Sequence, residues 1–164
     1  RVGALIEPIA RLGAACAEAG MPLVAFADTH TPDSVELTHY PPHCLRGSGE
    51  ELLCDALQSL PVTVIEKNST NGFLEPAFDD WRAAHPSVTT YLVVGDCTDI
   101  CVCQFALTAK AWHETRDLPL RVIVPVELVD TFDGAGHDAD AMNAAALTML
   151  RAGGVELCHI TEEM

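Results

Sequence analysis

The sequence predicts a three-layer α/β fold in which helices cover both faces of a mostly parallel, doubly wound sheet. Two observations support this prediction. Short apolar segments alternate with helix-like segments along the chain, and several of the apolar segments are hydrophobic at consecutive positions rather than at every second one. Strands that are apolar on both faces are typical of a parallel sheet buried between two layers of helices.

The first half of the chain contains two helix–strand units. Residues 2–19 place apolar side chains at helical spacing, and Gly20 is suited to close that helix. A buried strand is predicted over 22–27. An amphipathic pattern predicts a helix over 49–60, and a strand follows over 62–66.

The second half repeats the alternation. Helical periodicity predicts helices, and short apolar runs predict the strands between them. The predicted helices cover 77–85, 98–114 and 138–152, and the predicted strands cover 90–95, 121–126 and 155–158. Ligands of such sheets bind beyond the carboxyl ends of the strands, so the segments after the first three strands are the places to look for a site.

Length and composition limit the function classes. A chain of 164 residues with 49% hydrophobic and 20% charged residues predicts one globular domain. Its net charge of -15 argues against nucleic acid and against an anionic membrane as partners. No apolar run is long enough to span a bilayer. Seven cysteines, an odd number, indicate reduced thiols in a cytoplasmic protein.

A polar loop over 28–48 follows the first predicted strand. Asp28 and His30 lie two residues apart at the strand end, so both can face one crevice, and Glu36, His39 and His43 follow them. Two imidazoles and two carboxylates suit a divalent ion such as zinc, manganese or iron. The other interpretation, that a polar loop collects such residues by chance, is equally open on spacing alone.

The segment after the 90–95 strand suggests a nucleophile. If Thr98 caps the next helix, Cys101 occupies its third helical position, where backbone amides lack helical acceptors. Such amides stabilise a thiolate and can also hold the oxyanion that forms when the thiolate attacks a carbonyl. This setting predicts a thiol of lowered pKa, especially beside a cation.

Two alternatives remain for the cysteines of this segment. Cys97, Cys101 and Cys103 could be small buried hydrophobic residues, which is the usual fate of free cysteine, and Cys103 is expected to be one. They could also form a redox pair or a soft metal site, but the three-residue gap between Cys97 and Cys101 does not match those motifs.

Lys67 lies at the end of the strand over 62–66 and is one of only two lysines in the chain. A lysine beside a thiol favours the thiolate and can help to move its proton. A solvated surface lysine is the alternative interpretation.

Elsewhere, Trp81 and Trp112 are expected to pack between elements, and His137 and Asp138 to cap the helix over 138–152.

Taken together, these segments resemble the isochorismatase-like cysteine hydrolases from about residue 20 to about residue 155. The stretch over 93–102 reads Val-Val-Gly-Asp-Cys-Thr-Asp-Ile-Cys-Val and is similar to the family's Val-x-Gly-x-x-Thr-Asp-x-Cys-Val. The resemblance implies that Cys101 is the nucleophile, that a cis peptide joins Asp96 and Cys97, and that the amides of Cys97 and Cys101 form the oxyanion hole. Lys67 falls on the family's catalytic lysine.

The metal loop resembles the site of the nicotinamidases, also called pyrazinamidases, within that superfamily. The match consists of Asp-x-His followed by an aromatic residue and Pro-Pro-His-Cys, and it implies that Asp28, His30 and His43 are metal ligands. Glu36 matches the remaining ligand better than His39 does. The resemblance implies a divalent metal, with zinc expected and manganese, iron or magnesium as alternatives.

The resemblance also implies a reaction. Nicotinamide would be hydrolysed to nicotinate and ammonia through a thioester on Cys101, with the metal on the pyridine nitrogen. Tyr40 falls where these enzymes place an aromatic residue against the pyridine ring, and Phe73 is expected to assist. The resemblance further implies a cytoplasmic homo-oligomer. Its small amide substrate would belong to NAD salvage, and so to pyridine nucleotide biosynthesis.

One feature of the family has no counterpart here. Family members carry a catalytic aspartate at the end of a first, central strand, whereas this sequence begins directly with a helical pattern. We therefore expect an additional N-terminal segment of roughly 20–35 residues, about one strand and its loop.

Other functions remain open. An isochorismatase-like amidase could act on another small amide or on a carbamoyl substrate. The absent aspartate favours a metal-binding pseudoenzyme, and a disulfide between Cys97 and Cys101 would indicate a thiol redox module.

Overall fold

A computed structural model describes residues 1–160 and confirms the three-layer α/β fold. The chain begins with a short 3-10 turn, and the helices and strands then follow in alternation. The helices are α1 (Ile6–Glu18), α2 (Asp55–Gln58), α3 (Pro76–Ala84), α4 (Cys103–Glu114) and α5 (Ala139–Ala152). The strands are β1 (Leu23–Asp28), β2 (Val62–Lys67), β3 (Thr90–Leu92), β4 (Gly95–Asp96), β5 (Arg121–Pro125), β6 (Val129–Asp130) and β7 (Glu156–Cys158).

All strand pairs in residues 1–160 are parallel. β1 pairs with β2 over six residues, β3 with β5 and β5 with β7, and the short strands β4 and β6 pair with each other. α1 packs against α2 on one side of the sheet layer, while α4 packs against α5 and β5 on the other. This arrangement gathers the carboxyl ends of β1, β2 and β4 at one edge.

An aromatic cluster forms the centre of the core under α3 and α4. The Phe78 side chain is only 2% exposed, and its ring lies 5.2 Å from that of Phe26 and 5.4 Å from that of Phe105. Trp81 and Trp112 pack against the same cluster, which confirms their predicted role. Burial of several large rings supplies much of the hydrophobic free energy of a domain of this size.

The sheet layer is interrupted between β1 and β3. In the described part of the chain no hydrogen-bonded ladder joins them, so each strand has one edge without a partner. Both strands nevertheless contact the same two rings, those of Phe78 and Phe105. Each of these rings lies 5.2 Å from the Phe26 ring on β1 and 6.1 Å from the Tyr91 ring on β3. The amphipathic helix α1 has no fully buried residue.

The prediction of a helix over 49–60 is wrong except near its end, because α2 covers only Asp55–Gln58. The Glu51 carboxylate accepts hydrogen bonds from the amides of Gly47 and Gly49, at 2.6 and 2.7 Å. These bonds satisfy backbone donors locally and compete with a helix, so the chain makes a turn where the amphipathic pattern predicted a helix.

The strand predicted over 90–95 is divided in two. β3 ends at Leu92, and β4 begins at Gly95, which has a positive φ of 110°. Glycine adopts this backbone conformation without a steric penalty, so the chain can change direction there and pair with β6.

None of the helices within residues 1–160 is both long and apolar enough to cross a membrane.

Candidate active site

The parallel register of β1 and β2 brings the first two candidate residues together. Asp28 and Lys67 are the last residues of their strands and are Cα partners in the ladder. The amide of Thr29 donates to the carbonyl of Lys67 at 2.8 Å, which continues the pairing one residue further. Neighbouring positions in a parallel ladder put their side chains on the same face, so the carboxylate and the ammonium meet.

Lys67 connects the candidate metal ligands to the candidate nucleophile. Its side chain is 5% exposed, and its Nζ donates to the Asp28 carboxylate and lies 3.6 Å from the Cys101 sulfur. Burial disfavours the ammonium, but the Asp28 carboxylate and the Cys101 sulfur, in its thiolate form, outweigh this effect and raise the pKa of Lys67. Lys67 is therefore a buried ammonium rather than a surface lysine.

Cys101 does not have the lowered pKa that the sequence predicted. Burial of its sulfur raises the pKa of the thiol, while the Lys67 ammonium and a hydrogen bond from the Cys97 amide act in the opposite direction. The desolvation of the thiolate is the larger of these effects. The prediction is wrong on this point because it considered the helix terminus and the cation but not the depth of the site.

A π-helical turn, Thr98–Val102, holds the nucleophile at the start of α4. The amides of Ile100 and Val102 both donate to the carbonyl of Cys97, at 3.1 Å. Cys97 is therefore the residue that precedes the helix, and the prediction that Thr98 caps it is wrong. Thr98 lies inside the turn, and its hydroxyl is buried without a partner among residues 1–160. π-turns of this kind occur frequently at functional sites.

Two further features of this turn were expected. The peptide bond between Asp96 and Cys97 is cis, as the family resemblance implied. Cys103 is buried, at 4% exposure, which confirms that it belongs to the core. All seven cysteines are free thiols.

Asp28, His30 and His43 form a cluster suited to a metal. Each offers one ligand atom, and these atoms lie within 4.8 Å of one another. Glu36 completes the group, because its Oε1 is 3.6 Å from Nε2 of His30 and 4.0 Å from Nε2 of His43. In residues 1–160 no hydrogen bond or ion pair involves the ring of His39, so the geometry favours Glu36 over His39.

The environment of His30 fits a bound cation. Its side chain is completely buried, yet its Nε2 has no hydrogen-bond partner in the described part of the chain, and it lies between the carboxylates of Asp28 and Glu36, at 3.7 and 3.6 Å. A buried nitrogen without a partner is unfavourable unless a ligand satisfies it. Two imidazoles and two carboxylates are a donor set that zinc and other divalent transition metals accept.

Tyr40 lies beside this cluster, as predicted. Its ring centroid is 6.3 Å from that of His43, and the side chain is partly exposed. Partial burial, together with the nearby Glu36 carboxylate, raises the pKa of the Tyr40 hydroxyl.

Phe73 does not share this position. It is 2% exposed, with its ring 5.6 Å from Phe78 and 5.7 Å from Phe105 and with the Arg82 guanidinium over it. The prediction that Phe73 contacts substrate is therefore wrong, because the 3-10 turn Gly72–Leu74 directs the ring into the core.

The sequence analysis missed two interactions near the site. The Nδ1 of His30 is 3.0 Å from the side-chain oxygen of Asn68, the residue after Lys67. His137 does not cap α5; it pairs with Asp99 at 2.9 Å, and Asp138 provides the cap by accepting from the amide of Ala141. Both pairs join residues 38 positions apart, so no local pattern predicts them.

Comparison with known proteins identifies the family. The isochorismatase domain model matches residues 2–158. Nicotinamidase 1 of Arabidopsis thaliana is 28% identical over an alignment of 186 residues that covers 96% of this chain and 73% of that protein.

Solved structures share the fold. The nicotinamidase PncA of Bacillus subtilis superposes with a TM-score of 0.77 at 21% identity, covering 97% of this chain and 87% of that one. The N-carbamoylsarcosine amidase of Thermoplasma acidophilum has the same TM-score and identity, with 99% and 86% covered. These findings confirm the resemblance predicted from the sequence, and the chain belongs to the isochorismatase domain family.

Proposed function

We propose that this chain is a cysteine-dependent amidase that hydrolyses nicotinamide to nicotinate and ammonia. The observation that carries the proposal is the position of Lys67, which contacts both the Asp28 carboxylate of the metal cluster and the sulfur of Cys101. One small planar amide can therefore reach a cation and the nucleophile together. The nicotinamidase relative from Arabidopsis thaliana supports the choice of substrate.

In the proposed reaction, Asp28, His30, Glu36 and His43 hold a divalent cation. The cation would act as a Lewis acid for the pyridine nitrogen of the substrate. The Tyr40 ring stacks on the pyridine ring, so that the carboxamide faces Cys101. Such positioning lowers the barrier by removing the entropy cost of orientation.

Cys101 then attacks the amide carbon. A carbon–sulfur bond forms, and the carbonyl oxygen becomes an oxyanion held by the amides of Cys97 and Cys101. When the carbon–nitrogen bond breaks, the leaving nitrogen takes up a proton and departs as ammonia. Water then attacks the thioester, which releases nicotinate and restores the thiol.

Proton transfer needs a group that accepts the thiol proton. The raised pKa of Cys101 means that its resting form is the thiol, so attack requires deprotonation. Lys67 is already an ammonium and stabilises the thiolate as it forms. The acceptor in this proposal is the aspartate expected on a further central strand, and it passes the proton to the leaving nitrogen.

The interruption between β1 and β3 supports that further strand. Within residues 1–160 each of the two strands has one free edge, both pack on the same aromatic cluster, and the apolar side of α1 is incompletely buried. A strand placed there in parallel would satisfy both free edges. Intact mass and N-terminal sequencing of the active natural protein test this: full activity at a mass near 17.6 kDa contradicts it.

The proposed function is tested by a substrate panel with ammonia release as the assay. Nicotinamide, pyrazinamide, N-carbamoylsarcosine and a simple aliphatic amide are compared at equal concentrations, with metal content measured on the same samples. We expect the pyridine and pyrazine amides to be hydrolysed, and hydrolysis to depend on the metal. Turnover of the carbamoyl compound alone would support a different amidase, and metal binding without turnover would support a pseudoenzyme.

The fourth metal ligand has its own test with a matched control. Glu36→Gln should weaken Zn²⁺ binding because it removes a carboxylate between His30 and His43. His39→Gln changes a residue three positions away and should leave Zn²⁺ binding unchanged. The opposite pattern would make His39 the ligand.

The remaining parts of the proposal concern the metal and the setting. We propose zinc, with manganese, iron or magnesium as alternatives, and metal analysis of protein purified without added metal decides among them. A homo-oligomer, a cytoplasmic location and a role in NAD salvage also belong to the proposal. Sedimentation equilibrium tests the oligomeric state, and cell fractionation tests the location. Growth on nicotinamide as the pyridine source tests the role in NAD salvage.

A further inference from the structure

The two ring nitrogens of His30 have different surroundings. Nε2 points between the carboxylates of Asp28 and Glu36 and has no hydrogen-bond partner among the described residues. Nδ1 lies 3.0 Å from the side-chain oxygen of Asn68, which only accepts hydrogen bonds. An accepting oxygen at that distance pairs with a proton on Nδ1, and a neutral ring protonated there carries its lone pair on Nε2, toward the metal cluster.

The backbone of His30 is fixed independently of its ring. Its amide donates to the carbonyl of Cys44 at 3.0 Å, and its carbonyl accepts from the amide of Arg46 at 2.9 Å. These bonds hold the Cα position but leave the orientation and the tautomer of the ring undetermined. Beyond Asn68, the nearest partner of Nδ1 is the hydroxyl of Ser34 at 3.5 Å, at the limit of a hydrogen bond.

Asn68 is itself held in place by β2. It follows Lys67, the last residue of that strand, and its amide donates to the Glu75 carboxylate at 3.3 Å. The same strand end thus directs Lys67 toward Cys101 and Asn68 toward His30.

We propose that Asn68 is a positioning residue for the metal site: its side-chain oxygen fixes His30 as the tautomer protonated on Nδ1 and aims Nε2 at the cation. Histidines that bind metals usually donate their other N–H to a carboxylate or carbonyl oxygen, and loss of that partner weakens metal binding by about 10- to 100-fold. The inference rests on the proposed function, because it assumes that His30 is a ligand. It adds a residue that does not touch the metal.

The test compares Asn68→Leu, which removes the acceptor at nearly constant volume, with Asn68→Asp, which keeps an acceptor at the same place. Ser34→Ala is the matched control, since it removes the longer contact to the same nitrogen. Affinity for Zn²⁺ alone is measured by competition with a chromophoric chelator, and Co²⁺ absorption reports the coordination geometry. Thermal unfolding of each metal-free variant shows whether it is folded.

We expect Asn68→Leu to lose about 10- to 100-fold in Zn²⁺ affinity with an altered Co²⁺ spectrum. Asn68→Asp and Ser34→Ala should stay within a few-fold of the unmodified protein. Equal affinity in the unmodified protein and Asn68→Leu would overturn the inference while leaving the metal site intact. Failure of the unmodified protein to bind Zn²⁺ or Co²⁺ would overturn the metal site and, with it, this inference.

A second measurement does not require any variant to fold. Nitrogen-15 NMR of the metal-free protein identifies the tautomer of each histidine, and we expect the His30 ring to be protonated on Nδ1. Protonation on Nε2 alone would contradict the role given to Asn68, even if the protein binds Zn²⁺.

Discussion

Replacing Lys67 by methionine should slow the alkylation of Cys101. Methionine keeps most of the side-chain volume but removes the ammonium that lies 3.6 Å from the sulfur. Asp28 then remains near the thiol without its cationic partner and adds to the cost of forming a thiolate. Both changes favour the unreactive thiol, because only the thiolate is a nucleophile.

The size of the effect follows from the separation of the two charges. At 3.6 Å and an effective dielectric constant of about 20, the attraction is about 4–5 kcal/mol, or roughly three powers of ten in the amount of thiolate. The remaining thiolate is more nucleophilic, because reactivity rises with basicity with a slope of about 0.4–0.5. The net decrease in the alkylation rate is therefore about 50- to 100-fold.

The assay follows iodoacetamide labelling of Cys101 at pH 7 by peptide mass spectrometry, with Cys16 on α1 as an internal reference in the same sample. Lys110→Met is the matched control, because Lys110 is the chain's other lysine and bonds Glu114 and the carbonyl of Leu120 rather than a thiol. An unchanged Cys101 labelling rate in a folded Lys67→Met variant would refute the ion-pair reasoning.

Three further predictions concern catalysis, packing and pH. Cys101→Ala should reduce nicotinamide hydrolysis to background while Zn²⁺ binding stays unchanged, and residual turnover would exclude the thioester mechanism. Phe78→Ala should lower the free energy of unfolding in urea by about 3–5 kcal/mol, because its ring is at the centre of the aromatic cluster. The control Phe132→Ala changes a ring that is 41% exposed and should lower it by less than about 1 kcal/mol. Equal losses of unfolding free energy in the two variants would contradict the described core. The hydrogen bond to Asp99 raises the pKa of His137 in the folded protein. The pair therefore stabilises the fold fully at a pH below the pKa of histidine in the unfolded chain, about 6.5, and this stabilisation is lost as the pH rises through the raised pKa of the folded state. Asp99→Asn should therefore remove part of the decline in Tm above pH 6.5, and an identical decline in both proteins would show that the pair does not contribute.

The strand ends and their chemistry could be predicted because local sequence determines them. Short, mainly apolar segments mark β1 and β2, and a parallel sheet brings Asp28 and Lys67 to the same edge. The prediction that Cys101 lies near Lys67 is confirmed for the same reason. Periodicity and strand topology are enough for these statements.

The parts that the sequence did not predict depend on long-range or competing interactions. The raised pKa of Cys101 depends on how deeply its sulfur is buried, which a local motif does not specify. Phe73 was expected to assist Tyr40 at the substrate, but a 3-10 turn directs its ring into the core. The hydrogen bond from His30 to Asn68 spans 38 positions and depends on the register of β1 with β2.

The central claim is that the sulfur of Cys101 forms a covalent bond with the acyl group of the substrate beside the metal cluster. Rapid acid quenching during nicotinamide turnover, followed by intact and peptide mass spectrometry, tests it most directly. The account predicts a population heavier by one nicotinoyl group, with the modification on the peptide that contains Cys101. Steady turnover with no adduct at any quench time, or an adduct on another cysteine, would contradict it.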